Sequence, residues 1–221
     1  MSGGFLYLMN WQKNFNYPDI IAQFGDQYPD QAQLTAILKN YKCFQLEQTH
    51  SAQVMHIRSA DDYDIAPDAD AMVTAQSGIA LIIRTADCFP ILFYDPQAHI
   101  IAAAHSGREG TRKNIVQAVI NKMTALGAKS QNILVAIGPG ISTPFYEVDK
   151  HTWDCFCRST GSNHHFPYLD IRQTITSQLE KANMNPANIY HQNQCTFSNQ
   201  NYHSYRRNST KLRQYNWIAL K

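Results

Sequence analysis

The chain has 221 residues, a formal net charge of +2 and an apolar content of 44%. That length builds one sizeable core, and the nearly balanced charge lacks the clustered Lys/Arg excess of a nucleic-acid binder. No run reaches the roughly 18 apolar residues of a membrane span. Met1–Met9 lacks the basic residues and cleavage site of a signal peptide, and five cysteines without framework spacing read as reduced thiols of a cytoplasmic protein.

In chain order, residues 1–40 carry the least pattern, although Ala32, Leu34, Ile37 and Leu38 give Asp30–Lys39 a helical spacing. Cys43–Leu46 reads as a strand ending before Gln48-Thr49-His50. The acidic segment Asp61–Asp70, with Pro67, reads as a loop, and Ala71–Thr74 as a short strand. The central stretch follows. Two apolar runs, Leu81–Ile83 and Ile91–Tyr94, flank a polar elbow carrying Asp87 and Cys88, and a third run, His99–Ala104, delivers His105 onto Gly107. Short apolar runs bounded by turn residues predict buried strands. Thr111 is a plausible cap for a helix whose stripe is Ile115, Val116, Val119, Ile120, Met123 and Leu126, with Gly127 as its stop. Ile133–Ile137 reads as a strand entering a backbone-exposing turn, Gly138-Pro139-Gly140. A second helix spans Asp170 to about Asn183, and Ile189–Phe197 and Trp217–Leu220 read as strands. Strands and helices alternate imperfectly. The expectation is therefore a mixed α/β fold, mixed β-sheets flanked by helices, in a single domain over residues 1–221.

Cys88, His105 and His50 all sit beside turns at the ends of apolar runs, where a scaffold presents chemistry rather than packing. One thiolate and two imidazoles make a standard zinc set with a fourth position open for water. From spacing alone a rival reading makes Cys88 a nucleophile with His105 as its base, and each residue also has a plain packing role. Cys155-x-Cys157 lacks a second pair and reads as core packing beside Trp153 and Phe156. His164-His165 reads as a solvated loop, and the aromatic tail Tyr202, Tyr205, Tyr215 and Trp217 as either a base-stacking surface or core.

Together, Thr85-Ala-Asp-Cys88-Phe-Pro90, Ala103-Ala-His105-Ser-Gly107, Gln48-Thr-His50-Ser51, Ile137-Gly-Pro139 with Tyr146-Glu-Val148, and the tail Cys195-Thr-Phe-Ser198 with Ser204-Tyr-Arg-Arg207 carry a resemblance. From about Cys43 to its end the chain resembles the polyphenol oxidase/laccase-domain family. Members of that family are also described as multi-activity purine nucleoside phosphorylases, with a branch of peptidoglycan editing factors. The chain departs from the usual pattern at Arg108-Glu109-Gly110, where members commonly carry Trp-Arg-Gly, and at Pro144-Phe145, where a Cys pair is usual.

The resemblance implies zinc at His50, Cys88 and His105, with copper the lesser alternative, since copper oxidation of phenols calls for more metals and more histidines. It implies a zinc-dependent purine nucleoside phosphorylase, with adenosine deaminase and methylthioadenosine phosphorylase activity alongside. The alternative is a hydrolase that edits a cell-wall precursor through the same zinc or through Cys88. Catalytic roles are expected for Cys88 and for Asp87, with Glu147 a second candidate carboxylate. Arg84, Arg108, Arg206 and Arg207 are expected to offer forked donors to phosphate, and Gly138 its backbone N–H. The expected partners are small molecules, a purine nucleoside and phosphate.

Overall fold

The computed structural model describes Phe15, residues 17–62 and residues 65–221. The N-terminal stretch Met1–Met9, read above as lacking a signal peptide, lies outside these residues. In chain order the strands are β1 (Ile20–Phe24), β2 (Lys42–Phe44), β3 (Val54–His56), β4 (Ala71–Thr74), β5 (Ile79–Thr85), β6 (Phe89–Asp95), β7 (Ile100–Ser106), β8 (Leu134–Ile137), β9 (Ile189–His191) and β10 (Gln214–Leu220). The α-helices are α1 (Gln31–Ile37), α2 (Arg108–Arg112), α3 (Ile115–Ala125), α4 (Lys150–Thr160), α5 (Ile171–Lys181) and α6 (Tyr205–Asn208).

A strand covered on both faces must be apolar at every position rather than at alternate ones, and β6 and β7 are buried throughout. They lie in a six-stranded mixed sheet of order β3-β4-β7-β6-β8-β9, while β5 lies in a four-stranded mixed sheet of order β1-β10-β5-β2. Period-two alternation divides the side chains among three cores. Leu81 and Ile83 of β5 meet Leu92 and Tyr94 of β6 between the two sheets. Ala80 and Ile82 turn outward, with Trp217, against Leu34 and Leu38 at α1. Ile91 and Phe93 face α3 and α5, whose Val116, Val119, Ile120, Ile175 and Leu179 cover that side. The result is a layered mixed α/β fold, helix on sheet on sheet on helices. Among the described residues no helix is long and apolar enough to cross a membrane.

Helix ends follow local chemistry. At α1, Asp30 Oδ1 accepts the Gln33 N–H at 2.9 Å while the Gln33 side chain accepts the Asp30 N–H at 3.0 Å, a complete capping box. The helix expected from Thr111 is broken in two. Thr111 lies inside α2 and its hydroxyl donates back to the Gly107 carbonyl at 2.8 Å, so it cannot cap. The cap of α3 is Asn114, in the left-handed region at φ 58°, accepting the Gln117 N–H. Gly127 does stop α3. At φ 109° it allows the Ala128 N–H to reach the Met123 carbonyl and its own N–H to reach that of Thr124, a Schellman ending.

Four elements lack a legible pattern in the sequence: β1, the half-exposed β3, the short α6, and α4, whose cap Asp149 and stop Gly161 bracket one buried residue, Phe156. The strand expected over Ile189–Phe197 ends at His191, because β9 pairs with only three residues of β8 and the chain then turns to bring Thr196 to the elbow. The reading of His164 as solvated is corrected. It is buried against α5, with Nε2 3.0 Å from the Thr174 hydroxyl, whereas His165 is exposed. Cys157 packs on the helix-side core, as expected, and Trp217 and Tyr202 are buried.

Candidate metal centre

The elbow between β5 and β6 carries the chain from one sheet to the other, and the site forms at that crossing. Asp87 occupies the elbow at φ 84°, a backbone conformation uncommon for a residue with a side chain. Its own bonds hold it there. Oδ1 accepts from the Thr196 hydroxyl and Oδ2 from the Arg206 N–H, both at 2.7 Å, and its carbonyl accepts the Ile141 N–H at 2.8 Å. Two distant C-terminal residues therefore pin the loop that presents Cys88.

Asp70 does the equivalent for both histidines. Fully buried at the entry to β4, its carboxylate accepts the successive N–H groups of Thr49, His50 and Ser51 at 3.2, 3.1 and 2.5 Å, and the Ser51 hydroxyl at 2.8 Å. Three consecutive N–H groups converging on one anion form a nest, which shapes the turn carrying His50 at φ 58°. The same carboxylate lies 2.7 Å from His105 Nδ1. That bond takes the Nδ1 proton and leaves Nε2 as the ring's donor to the site. Lys113 adds a bond from its Nζ to the His50 carbonyl at 3.1 Å.

The outcome is that one ligand atom each from His50, Cys88 and His105 lie within 4.8 Å of one another, the one such group of His, Cys, Asp or Glu side chains among the described residues. The two imidazoles meet edge to face, centroids 4.9 Å apart. The main chain must pass close to this group, and Gly107 lets it. A Cβ there would fall 2.6 Å from Cys88 Sγ and 3.2 Å from His50 Cδ2.

The charges support one another. Burial alone would push the Cys88 thiol up, but the charge of His105 and hydrogen bonds from His105 and His50 overcome it and bring the thiol down to about 6. Burial alone would lower His105, yet the Cys88 thiolate and Asp70 raise it to about 9. Burial would likewise raise Asp70, but the bonds from His105 and Ser51 hold it at about 2. Without a metal, a thiolate–imidazolium pair backed by a carboxylate thus persists between about pH 6 and 9. A depressed thiol pKa means thiolate above that value, so alkylation of Cys88 in metal-stripped protein should switch on with a midpoint near pH 6. A midpoint near 9, as for an ordinary thiol, would contradict this arrangement. A metal ion needs the thiolate and an unprotonated imidazole nitrogen, so its binding must displace the His105 proton and weaken as pH falls.

The group opens into a cavity of about 560 Å³. Asp87, Tyr146, Tyr205 and Arg206 line it, as do Glu47, Gln48, Arg84, Lys211 and Arg213. The Arg206 guanidinium lies 5.0 Å over the Tyr146 ring and donates to the carbonyls of Phe145 and Glu147.

Of the residues expected to hold substrate, Arg84 and Arg206 line the cavity, and Arg108, Gly138 and Arg207 do not. Arg108 pairs with Glu109, and the Arg207 fork donates to the carbonyls of Thr196, Phe197 and Tyr202. Gly138 is buried against Phe24 and Pro90 with its N–H on the Pro90 carbonyl, so this turn is a packing joint and exposes no donor. The Glu147 side chain is exposed outside the cavity lining. Of the aromatic tail, Tyr205 lines the cavity. Sequence reasoning passed over Asp70 inside an acidic loop, and also Lys211 and Glu47. The one signal for Asp70 was its position directly before the fully apolar β4.

The chain matches, over residues 28–221, the family model described as multi-copper polyphenol oxidoreductase laccase. It is 35% identical over 206 residues to a purine nucleoside phosphorylase of Corynebacterium glutamicum, covering 86% of this chain and 83% of that one. It is 32% identical over 169 residues to adenosine deaminase RL5 from an unidentified prokaryote, covering 67% and 63%. Across the relatives most similar to it, the aligned part spans from 40% to 83% of their length, and in several less than two thirds. The fold superposes on the crystal structure of the hypothetical protein YfiH from Bacillus licheniformis with a TM-score of 0.82 at 22% identity, covering 96% and 94% of the two chains.

Proposed function

The chain belongs to the multi-copper polyphenol oxidoreductase laccase family, and on that premise we propose that it is a zinc-dependent purine nucleoside phosphorylase that also deaminates adenosine. The observation that carries the reading is the convergence of His50, Cys88 and His105 within 4.8 Å beside a cavity of nucleoside size. The names borne by the Corynebacterium relative and by adenosine deaminase RL5 support it. One thiolate and two imidazoles suit a borderline-soft, tetrahedral ion and leave one position open, and the carboxylate behind His105 is the outer partner that metal-bound histidines usually have. Multi-copper chemistry needs more than one ion, and the described residues offer one group of three donors.

Bound zinc supplies Lewis acidity, polarising a substrate oxygen or acidifying a water. The chain's own residues do the rest. Asp70 keeps both imidazoles in place. Asp87, bonded by the Thr196 hydroxyl and the Arg206 N–H, positions Cys88 and presents its carboxylate to the cavity beside it. Tyr146 and Tyr205 offer ring faces to a purine. In phosphorolysis a phosphate oxygen bonds to the ribose C1′ as the C1′–N9 bond breaks. The electron pair leaves on the purine, which takes up a proton. In deamination water replaces the 6-amino group, released as ammonia.

The test is a screen of the zinc-loaded protein against adenosine, inosine and methylthioadenosine with and without phosphate. Phosphate-dependent release of free purine is expected, together with phosphate-independent formation of inosine from adenosine. No turnover of any of the three would overturn the assignment. It would favour the second reading, a hydrolase of a cell-wall precursor using the Cys88 thiolate, which the low thiol pKa beside His105 supports.

A further inference from the structure

We propose that Arg84, Lys211 and Arg213 form the docking site of the phosphate co-substrate. The inference rests on the phosphorylase reading and gives its second substrate a place. In the four-stranded sheet, β10, β5 and β2 are neighbours; β5 brings Arg84 and Thr85 to the cavity, Lys211 and Arg213 reach it from the segment before β10, and Glu47 and Gln48 from the segment after β2. Tyr215 pairs with Arg84 across β10 and β5, and Arg213 stands two residues before Tyr215. The register begins at Gln214 opposite Thr85, so Arg213, directly before β10, and Arg84, at the end of β5, reach the same cavity wall. Arg84 gives one N–H to the Leu46 carbonyl at 3.2 Å, and Arg213 uses a single terminal nitrogen on the carbonyls of Thr210 and Leu212. Most of each fork remains for a ligand. Lys211 is exposed at the same wall with no hydrogen-bond or ion-pair partner among the described residues.

Four cations, Arg84, Arg206, Lys211 and Arg213, thus line the cavity against two carboxylates, Glu47 and Asp87, and Asp87 is held by the Thr196 hydroxyl and the Arg206 N–H. Two partly free guanidinium forks and an ammonium are suited to a tetrahedral oxyanion. The other basic side chains are less available. Arg206 is spent on two carbonyls and the Tyr146 ring, and Arg207 lies outside the lining. Arg84 and Cys88 are four positions apart, at most about 14 Å of extended chain. His50, Cys88 and His105 line the same cavity, so phosphate at this wall shares one space with a nucleoside at the metal-ligating group.

The experiment uses full-length, zinc-loaded protein with Lys211→Gln and, separately, Arg213→Gln. Each should raise the phosphate KM by about tenfold or more, the loss of a charge-assisted hydrogen bond. The nucleoside KM should stay within about twofold of wild type, because each interaction is made to phosphate alone. Inorganic phosphate is also titrated calorimetrically without nucleoside, against chloride at matched ionic strength. Saturable binding, weakened in both variants by the same factor, is expected. An unchanged phosphate KM, or a nucleoside KM rising in step with it, overturns the proposal. If the wild type phosphorolyses no nucleoside, the phosphorylase reading fails and the calorimetry decides alone. Saturable phosphate binding that the variants weaken upholds the site, and no binding overturns it.

Discussion

Replacing Asp70 by asparagine should be the most damaging isosteric change in the protein. The carboxylate is fully buried and accepts bonds from three backbone N–H groups, the Ser51 hydroxyl and the His105 ring. An amide turns an NH2 donor toward some of these donors and removes the charge that balances His105. Removing one partner of a buried charged network costs about 3–5 kcal/mol, and losing the partner behind a metal-binding histidine costs roughly 10–100-fold in metal affinity. Urea unfolding and a zinc titration measure the two effects. Asp70→Asn within about 1 kcal/mol of wild type and binding zinc as tightly would show that the nest is dispensable. The depressed carboxylate also carries a pH signature. A group held at about 2 in the folded state contributes stability that is fully present above its ordinary value of 3.8 and is lost as pH falls toward 2. That acid-side loss should be missing from Asp70→Asn.

Gly107→Ala should separate the site from the fold. The residue sits at φ −84°, which alanine adopts freely, so backbone strain is not the issue. Its Cβ would instead stand 2.6 Å from Cys88 Sγ, far inside contact distance, and 3.2 Å from His50 Cδ2. Sulfur and imidazole must both give way, and a metal set tolerates only about 0.2 Å of error in its distances. Displacement of order 1 Å at a reacting centre costs on the order of a hundredfold in rate. Zinc content and activity should therefore collapse while the circular-dichroism spectrum stays that of wild type. Full zinc occupancy in Gly107→Ala would mean that the ligand group lies elsewhere.

The sequence was informative wherever one segment carries its own signal. The apolar runs around Asp87 and Cys88 are short and bounded by turn residues, as covered strands are, and the stripe from Ile115 to Met123 with Gly127 behind it has the period of a helix. The ligand triad was legible in part for the same reason, each member standing at the end of such a run. What the sequence hid is set by long-range pairing. Asp70 looks like one acid among several in its loop until β4 carries it under His105. Arg207 and Gly138 look like phosphate donors until their partners, carbonyls far along the chain or adjacent in the sheet, are known. The strand β3 is half exposed and paired with β4 alone, so no alternation marks it. The break at Asn114 was missed because Thr111, the better cap by residue type, spends its hydroxyl on Gly107.

On the zinc reading, His50, Cys88 and His105 act as one metal-binding unit and not as a nucleophile with its base. The most direct measurement is zinc content and nucleoside turnover of His50→Ala beside Cys88→Ala, each before and after exhaustive chelation and zinc return. As a unit, the three ligands should fail together. His50→Ala should lose zinc and activity as completely as Cys88→Ala, and chelated wild type should be inactive until zinc is restored. Full activity in His50→Ala, or in wild type after chelation, would contradict the metal and leave Cys88 as a thiolate nucleophile served by His105.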